Sequence, residues 1–96
     1  MKPSELLELH RERIREIVTE RGHSNPRVFG SVARGDDDEI SDIDFLIELA
    51  PRTSLFDLSR LYFELNALLG VEIDVVADES IPQVIRAHVI REAVAV

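Results

Sequence analysis

The sequence predicts an α/β (α+β) fold: a small three-stranded mixed β-sheet flanked by helices, in the order α-β-α-β-α-β-α. Three observations predict it. Two long segments, 4–21 and 54–69, carry apolar side chains at helical spacing. Three short apolar runs, 27–29, 42–48 and 71–76, are set off by turn residues in the manner of strands. A long helical connection joins the second and third runs, which suggests a parallel pair with a right-handed crossover, while the shorter excursion between the first and second allows an antiparallel pair. Residues 1–96 suffice for one domain and leave no room for two.

Taken in order, the first helix is capped by Ser4 and stopped by Gly22, with Leu6, Leu7, His10, Ile14, Ile17 and Val18 on one stripe. Asn25-Pro26 marks a turn, and Arg27-Val28-Phe29 forms strand one, ending at Gly30. Residues 31–35 make one helical turn, followed by a polar loop to Ser41. Strand two runs from Asp42 to Glu48, and Pro51 ends its continuation. Ser54 and Asp57 have the spacing of a capping box before the leucine-rich helix that Gly70 stops. Strand three covers Val71 to Val76. A last helix starts near Ser80, tolerates Pro82 in its first turn, and turns Val84, Ile85, His88 and Val89 to the core.

Composition narrows the class of function. At 45% hydrophobic and 31% charged, the chain is globular rather than disordered. It has no cysteine, which excludes disulfides and thiolate metal sites. The opening MKPSELLELH has no apolar core of a signal peptide, and no run approaches the roughly 20 apolar residues of a membrane span, so the expected location is the cytoplasm without membrane attachment. A net charge of −8 disfavours direct nucleic-acid binding through phosphates. The acids concentrate between residues 36 and 48, a focus that attracts divalent cations or a basic partner.

Chemistry is concentrated in "GSVARGDDDEISDID", residues 30–44. On a strand, Asp42 and Asp44 project to one side, roughly 6.5–7 Å apart along the chain, while Ile43 and Phe45 project to the other. Two such carboxylates repel, and a divalent cation removes the penalty by accepting oxygens from both. Oxygen ligands without cysteine suit Mg²⁺, with Mn²⁺ as the other candidate. Alternation in strand three puts Asp74 on one face, and beside strand two it would join the pair. Three converging carboxylates can hold two cations roughly 3.5–4 Å apart, the clamp of phosphoryl chemistry. Gly30 lets backbone approach a ligand, the turn starting there offers N–H groups to an anion, Ser31 adds a hydroxyl, and Arg34 is a candidate phosphate partner. Gly-x4-Gly without Lys-Ser/Thr is not a P-loop, and GxGxxG is absent.

Phe29-Gly30-Ser31, ten residues, then Asp42-Ile43-Asp44-Phe45, followed by a lone acid on a later strand, resembles the DNA-polymerase-β-like nucleotidyltransferase superfamily. "GSVARG" joined to "SDIDFLI" is similar to its minimal nucleotidyltransferase (MNT) members, the antitoxins of HEPN/MNT toxin–antitoxin pairs. The resemblance covers nearly the whole chain and implies roles residue by residue. Gly30 and Ser31 would bind the triphosphate of ATP. Asp42 and Asp44 would hold two Mg²⁺ ions, and Asp74 would complete the metal site and help activate the attacking hydroxyl. Arg34 would steady phosphate or the acidic loop. The implied reaction moves AMP from ATP to a hydroxyl, in toxin-paired members a tyrosine of a HEPN-domain toxin. Larger relatives recognise substrate with a second domain that has no counterpart here, so recognition would fall to a hetero-complex partner or to a homo-oligomer surface. Two other readings stay open: a binding antitoxin that neutralises its partner by contact, and a nucleotidyltransferase acting on a small molecule or an RNA end.

Other polar residues read as structural. Asp36, Asp37, Asp38 and Glu39 form a solvated loop, Glu72 faces solvent, and His23 is a turn residue. His10, His88 and Tyr62 pack in the core.

Overall fold

The computed structural model describes residues 1–96. The elements are α1 (Pro3–Leu9), α2 (Arg11–Glu20), β1 (Ser24–Phe29), α3 (Gly30–Arg34), β2 (Ile43–Glu48), α4 (Leu55–Leu69), β3 (Ile73–Ala77), a 3-10 turn (Asp78–Ser80), α5 (Gln83–Glu92) and β4 (Val94–Ala95). The sheet has four strands rather than three, in the order β3-β2-β1-β4. The pairing of β1 with β2 is antiparallel and that of β2 with β3 is parallel. The additional strand is two residues long and pairs antiparallel with β1 through Arg27–Ala95 and Val28–Val94. A strand that short carries no alternation from which a sequence could announce it.

The expected first helix is two. His10 leaves helical geometry at φ −107° and ψ 14°, while its N–H still donates to the Leu6 carbonyl and its own carbonyl accepts from the Ile14 N–H. Lys2, not Ser4, precedes the first turn, and the Ser4 backbone N–H instead donates to Asp37 Oδ2 at 2.9 Å. Asp37 is buried and fastens the acidic loop to α1, a correction to its reading as solvated. At α4 the expected box forms as read: Ser54 Oγ accepts from the Asp57 N–H, and the Asp57 carboxylate accepts from the Ser54 N–H. Gly70 closes that helix in the left-handed region at φ +68°.

One face of the sheet makes the core. Ile43, Phe45 and Ile47 of β2, with Val28 of β1 and Ile73 of β3, pack with Ile14, Ile17 and Val18 of α2 and Leu61, Leu65 and Leu69 of α4. Cross-strand partners share a face. The opposite face therefore carries the rows Phe29–Asp44–Asp74 and Arg27–Leu46–Val76. Arg27 reaches from β1 to Asp78, just beyond β3, at 2.6 Å, so its side chain crosses β2. Leu46 in the same row is fully buried. Arg86 of α5 also pairs with Asp78.

The expectation for the last helix fails. No residue of α5 is buried, and Val84 is 95% exposed. The helix is held through the polar ends of Arg86 and Glu92 rather than an apolar stripe. His88 is exposed, and His10 and Tyr62 are only partly covered. Glu72 is exposed, as expected. No helix is long and apolar enough to cross a membrane.

Candidate active site

The site lies where β1 ends and β2 begins. Residue 29 of β1 is paired with Asp44, so the chain turns at Gly30 directly over that carboxylate. Gly30 has φ +73°, and a Cβ placed there would lie 2.5 Å from Asp44 Oδ2. Only glycine accepts both the left-handed backbone and that contact. Gly30→Ala is accordingly expected to destabilise the protein by at least about 1–2 kcal/mol, the left-handed penalty alone, and to weaken MgATP binding as far as the turn is displaced from Asp44. Calorimetric titration measures the binding, and the melting temperature the loss of stability.

Asp44 and Asp74 are direct partners on the parallel strands, whose backbones run about 4.8 Å apart. Asp42 stands just before β2, exposed, with Asp74 also exposed and Asp44 half-buried. Burial pushes the Asp44 carboxyl above its ordinary range, and the charges of Asp74 and Asp42 push in the same direction. Arg34 pulls it back, and Glu92 adds to the upward push. Acids with no buried counter-charge suit a hard divalent cation. No three His, Asp or Glu side chains are gathered closely enough to cage a metal by themselves. The donor set still fits Mg²⁺, which takes one or two carboxylates and completes its octahedron with water and substrate phosphates.

The remaining expected residues gather around the same turn. Ser31 is half-buried in the first turn of α3, where backbone N–H groups have no intrahelical partner. The Gly30 N–H is not free, because it donates to Glu92 Oε1 at 2.8 Å. Arg34, half-exposed, donates to Asp36 Oδ2 at 3.2 Å and to Glu92 Oε2 at 3.3 Å, so two acids share its guanidinium with solvent. Glu92 was not among the expected site residues. The signal for it was an acid on the last turn of a helix, where the macrodipole disfavours negative charge and some other partner has to compensate.

Neither cavity of the molecule is lined by Asp42, Asp44 or Asp74. The larger, about 270 Å³, is at the far end of β1 and β2, walled by Arg21, His23, Arg52 and Asp57 among others. Arg21 is paired with Glu64 at 2.9 Å. His23 is a buried residue and not merely a turn one; its Nδ1 accepts from the Ala50 N–H at 2.9 Å, and burial followed by the charge of Arg21 holds its pKa down. The carboxylate face itself is open.

Residues 11–96 match the model of the nucleotidyltransferase domain family. A Methanocaldococcus jannaschii protein, MJ0435, named provisionally as a protein adenylyltransferase, is 40% identical over 88% of this chain and 90% of its own length. Protein adenylyltransferase MntA of Thermococcus cleftensis is 36% identical over 93% of this chain and 87% of its own. Among solved structures, one described provisionally as a minimal nucleotidyltransferase superposes with a TM-score of 0.87 at 38% identity, covering 97% of this chain and 95% of that one. A toxin–antitoxin crystal structure with AMP-PNP superposes at 0.75 with 21% identity, over 88% of this chain and 69% of its match, and shares the fold.

Proposed function

Because this chain belongs to the nucleotidyltransferase domain family, we propose that it is a Mg²⁺-dependent protein adenylyltransferase that moves AMP from ATP to a tyrosine hydroxyl of a HEPN-domain toxin and so acts as its antitoxin. The observation that carries the transferase reading is the close approach of Gly30 to Asp44 with Asp74 paired alongside. A candidate phosphate turn and a carboxylate row then meet at one end of the central strands. Two relatives named as protein adenylyltransferases support protein as the acceptor.

In this reading Ser31 binds the triphosphate with its hydroxyl and its backbone N–H, and Gly30 lets the backbone come close. Asp42 and Asp44 would hold Mg²⁺, and Asp74 would complete the set. Bound there, the cations would supply charge neutralisation for the phosphates. Asp74 takes the proton of the acceptor hydroxyl as its oxygen bonds to the α-phosphorus. The bond from the α-phosphorus to the bridging oxygen breaks, and pyrophosphate leaves with the electron pair. Positioning and electrostatics provide the acceleration, since the side chains form no covalent intermediate.

The test is incubation with MgATP labelled at the α-phosphate, alone and with extract of the source cells. Label on one discrete protein, absent with Asp42→Asn, is the expected result. Label on nucleic acid or a small molecule keeps the transferase and moves the acceptor. A second reading, neutralisation by contact alone, is favoured by Leu55, Phe56 and Phe63, which expose apolar surface along α4. Silencing of the toxin without ATP, undiminished in Asp44→Asn, would establish that reading instead.

A further inference from the structure

Glu92 is the last residue of α5, and it is separated from the phosphate turn by most of the chain. Its side chain is 18% exposed. One carboxylate oxygen accepts from the Gly30 N–H at 2.8 Å, and the other accepts from Arg34 Nη1 at 3.3 Å. His88, one turn earlier on α5, brings Nε2 to 3.8 Å from the second oxygen. We propose that Glu92 is a positioning residue for the nucleotide: it fixes the Gly30–Ser31 turn and aims Arg34, so that a triphosphate meets donors already in place. This rests on the nucleotidyltransferase reading of the site.

Three features support it. The Gly30 N–H is an orphan donor at the start of α3, and glycine's backbone freedom leaves the direction of that peptide to be fixed by a partner. A charge-assisted bond from outside the turn, stronger than a neutral one, settles which way that peptide faces. The same carboxylate spans to Arg34 at the other end of α3, so both ends of the short helix are referred to one side chain. Finally, a carboxylate at the end of a helix runs against the macrodipole, and these bonds are what compensates it. Ser31 is not among its partners, so its hydroxyl and N–H stay available to the ligand.

The alternative role is obstruction, with Glu92 sitting where a phosphate oxygen would go. The two roles predict opposite changes in affinity. Calorimetric titration of the full chain with MgATP separates them, alongside kcat and KM for label transfer. Glu92→Ala is expected to raise both Kd and KM by about tenfold, the loss of one charge-assisted bond, with kcat changed much less. Glu92→Gln keeps an acceptor oxygen for the Gly30 N–H and is expected to recover part of the affinity; it also serves if the alanine variant does not fold. Unchanged affinity in both variants overturns the proposal, and tighter binding in either establishes obstruction. Wild-type protein that binds MgATP but transfers no label would overturn the transferase reading while leaving the affinity comparison decisive for Glu92.

Discussion

Asp44→Asn is expected to lower AMP transfer by about 10³-fold while raising the melting temperature of the metal-free protein. The loss follows from removing a charge that holds Mg²⁺ against the phosphates, an effect of several kcal/mol at a transition state in which each 1.36 kcal/mol is about tenfold. The gain follows from the same charge being unwelcome when no cation is present. Burial, then Asp74 and Asp42, raise its pKa in the folded state. A carboxyl that binds its proton more tightly when folded favours folding below its unfolded pKa, and that contribution is lost as pH rises through the folded one. At neutral pH the ionised group therefore opposes folding. Melting curves with and without Mg²⁺ check both halves: the cation should stabilise wild type and leave Asp44→Asn nearly unmoved. A variant that melts lower than wild type in the absence of cations would assign Asp44 to the scaffold instead.

Asp78→Ala is expected to destabilise the fold by about 2–3 kcal/mol, toward the lower end for breaking a covered ion pair because Arg86 is partly solvated. Asp78 faces Arg27, whose side chain is 12% exposed, at 2.6 Å. Alanine would strand that guanidinium beside Leu46. The Asp78 carboxyl is held below its usual range by Arg86, with Arg27 adding to the effect. Its contribution is present above the unfolded pKa and disappears as pH falls through the folded one, so the gap between wild type and variant should close in acid. Urea titrations at neutral and acid pH measure this. Transfer by the variant should fall by more than its folded fraction, because Asp78 also anchors Arg86 of α5, the helix that brings Glu92 to the turn.

Much of the site was legible because its parts are close in sequence and obey a period. Asp42 and Asp44 alternate with Ile43 and Phe45, and the buried side of that alternation is the core side in the structure. Asp74 stands in an equally clear alternation, and a parallel pairing of the two strands was enough to bring it beside Asp44. Glu92 was missed, since its one local sign was an acid on the last turn of a helix, its partners lie across the chain, and that helix has no apolar stripe to place it. The same lack misdirected Val84 and Ile85, whose apolar character implied a core that α5 never reaches. Asp37 escaped for a related reason: nothing local distinguishes it from Asp36 or Asp38, and its burial depends on a single backbone N–H of α1. β4 was hidden by length alone.

A helix with no buried residue has little to resist separation from the body of the domain. Regions with few apolar contacts open at a free energy well below that of global unfolding, while the amides of packed strands and helices stay protected. α5 belongs to the first kind and β2 with α4 to the second. The grip of Glu92 on the phosphate turn is then only as durable as the docking of α5. A conformer with that helix lifted would keep its carboxylate row intact and lose the ordered turn. Anything that clasps the helix, a partner surface or the nucleotide itself, would draw the population back toward the ordered form and couple its own binding to the readiness of the site.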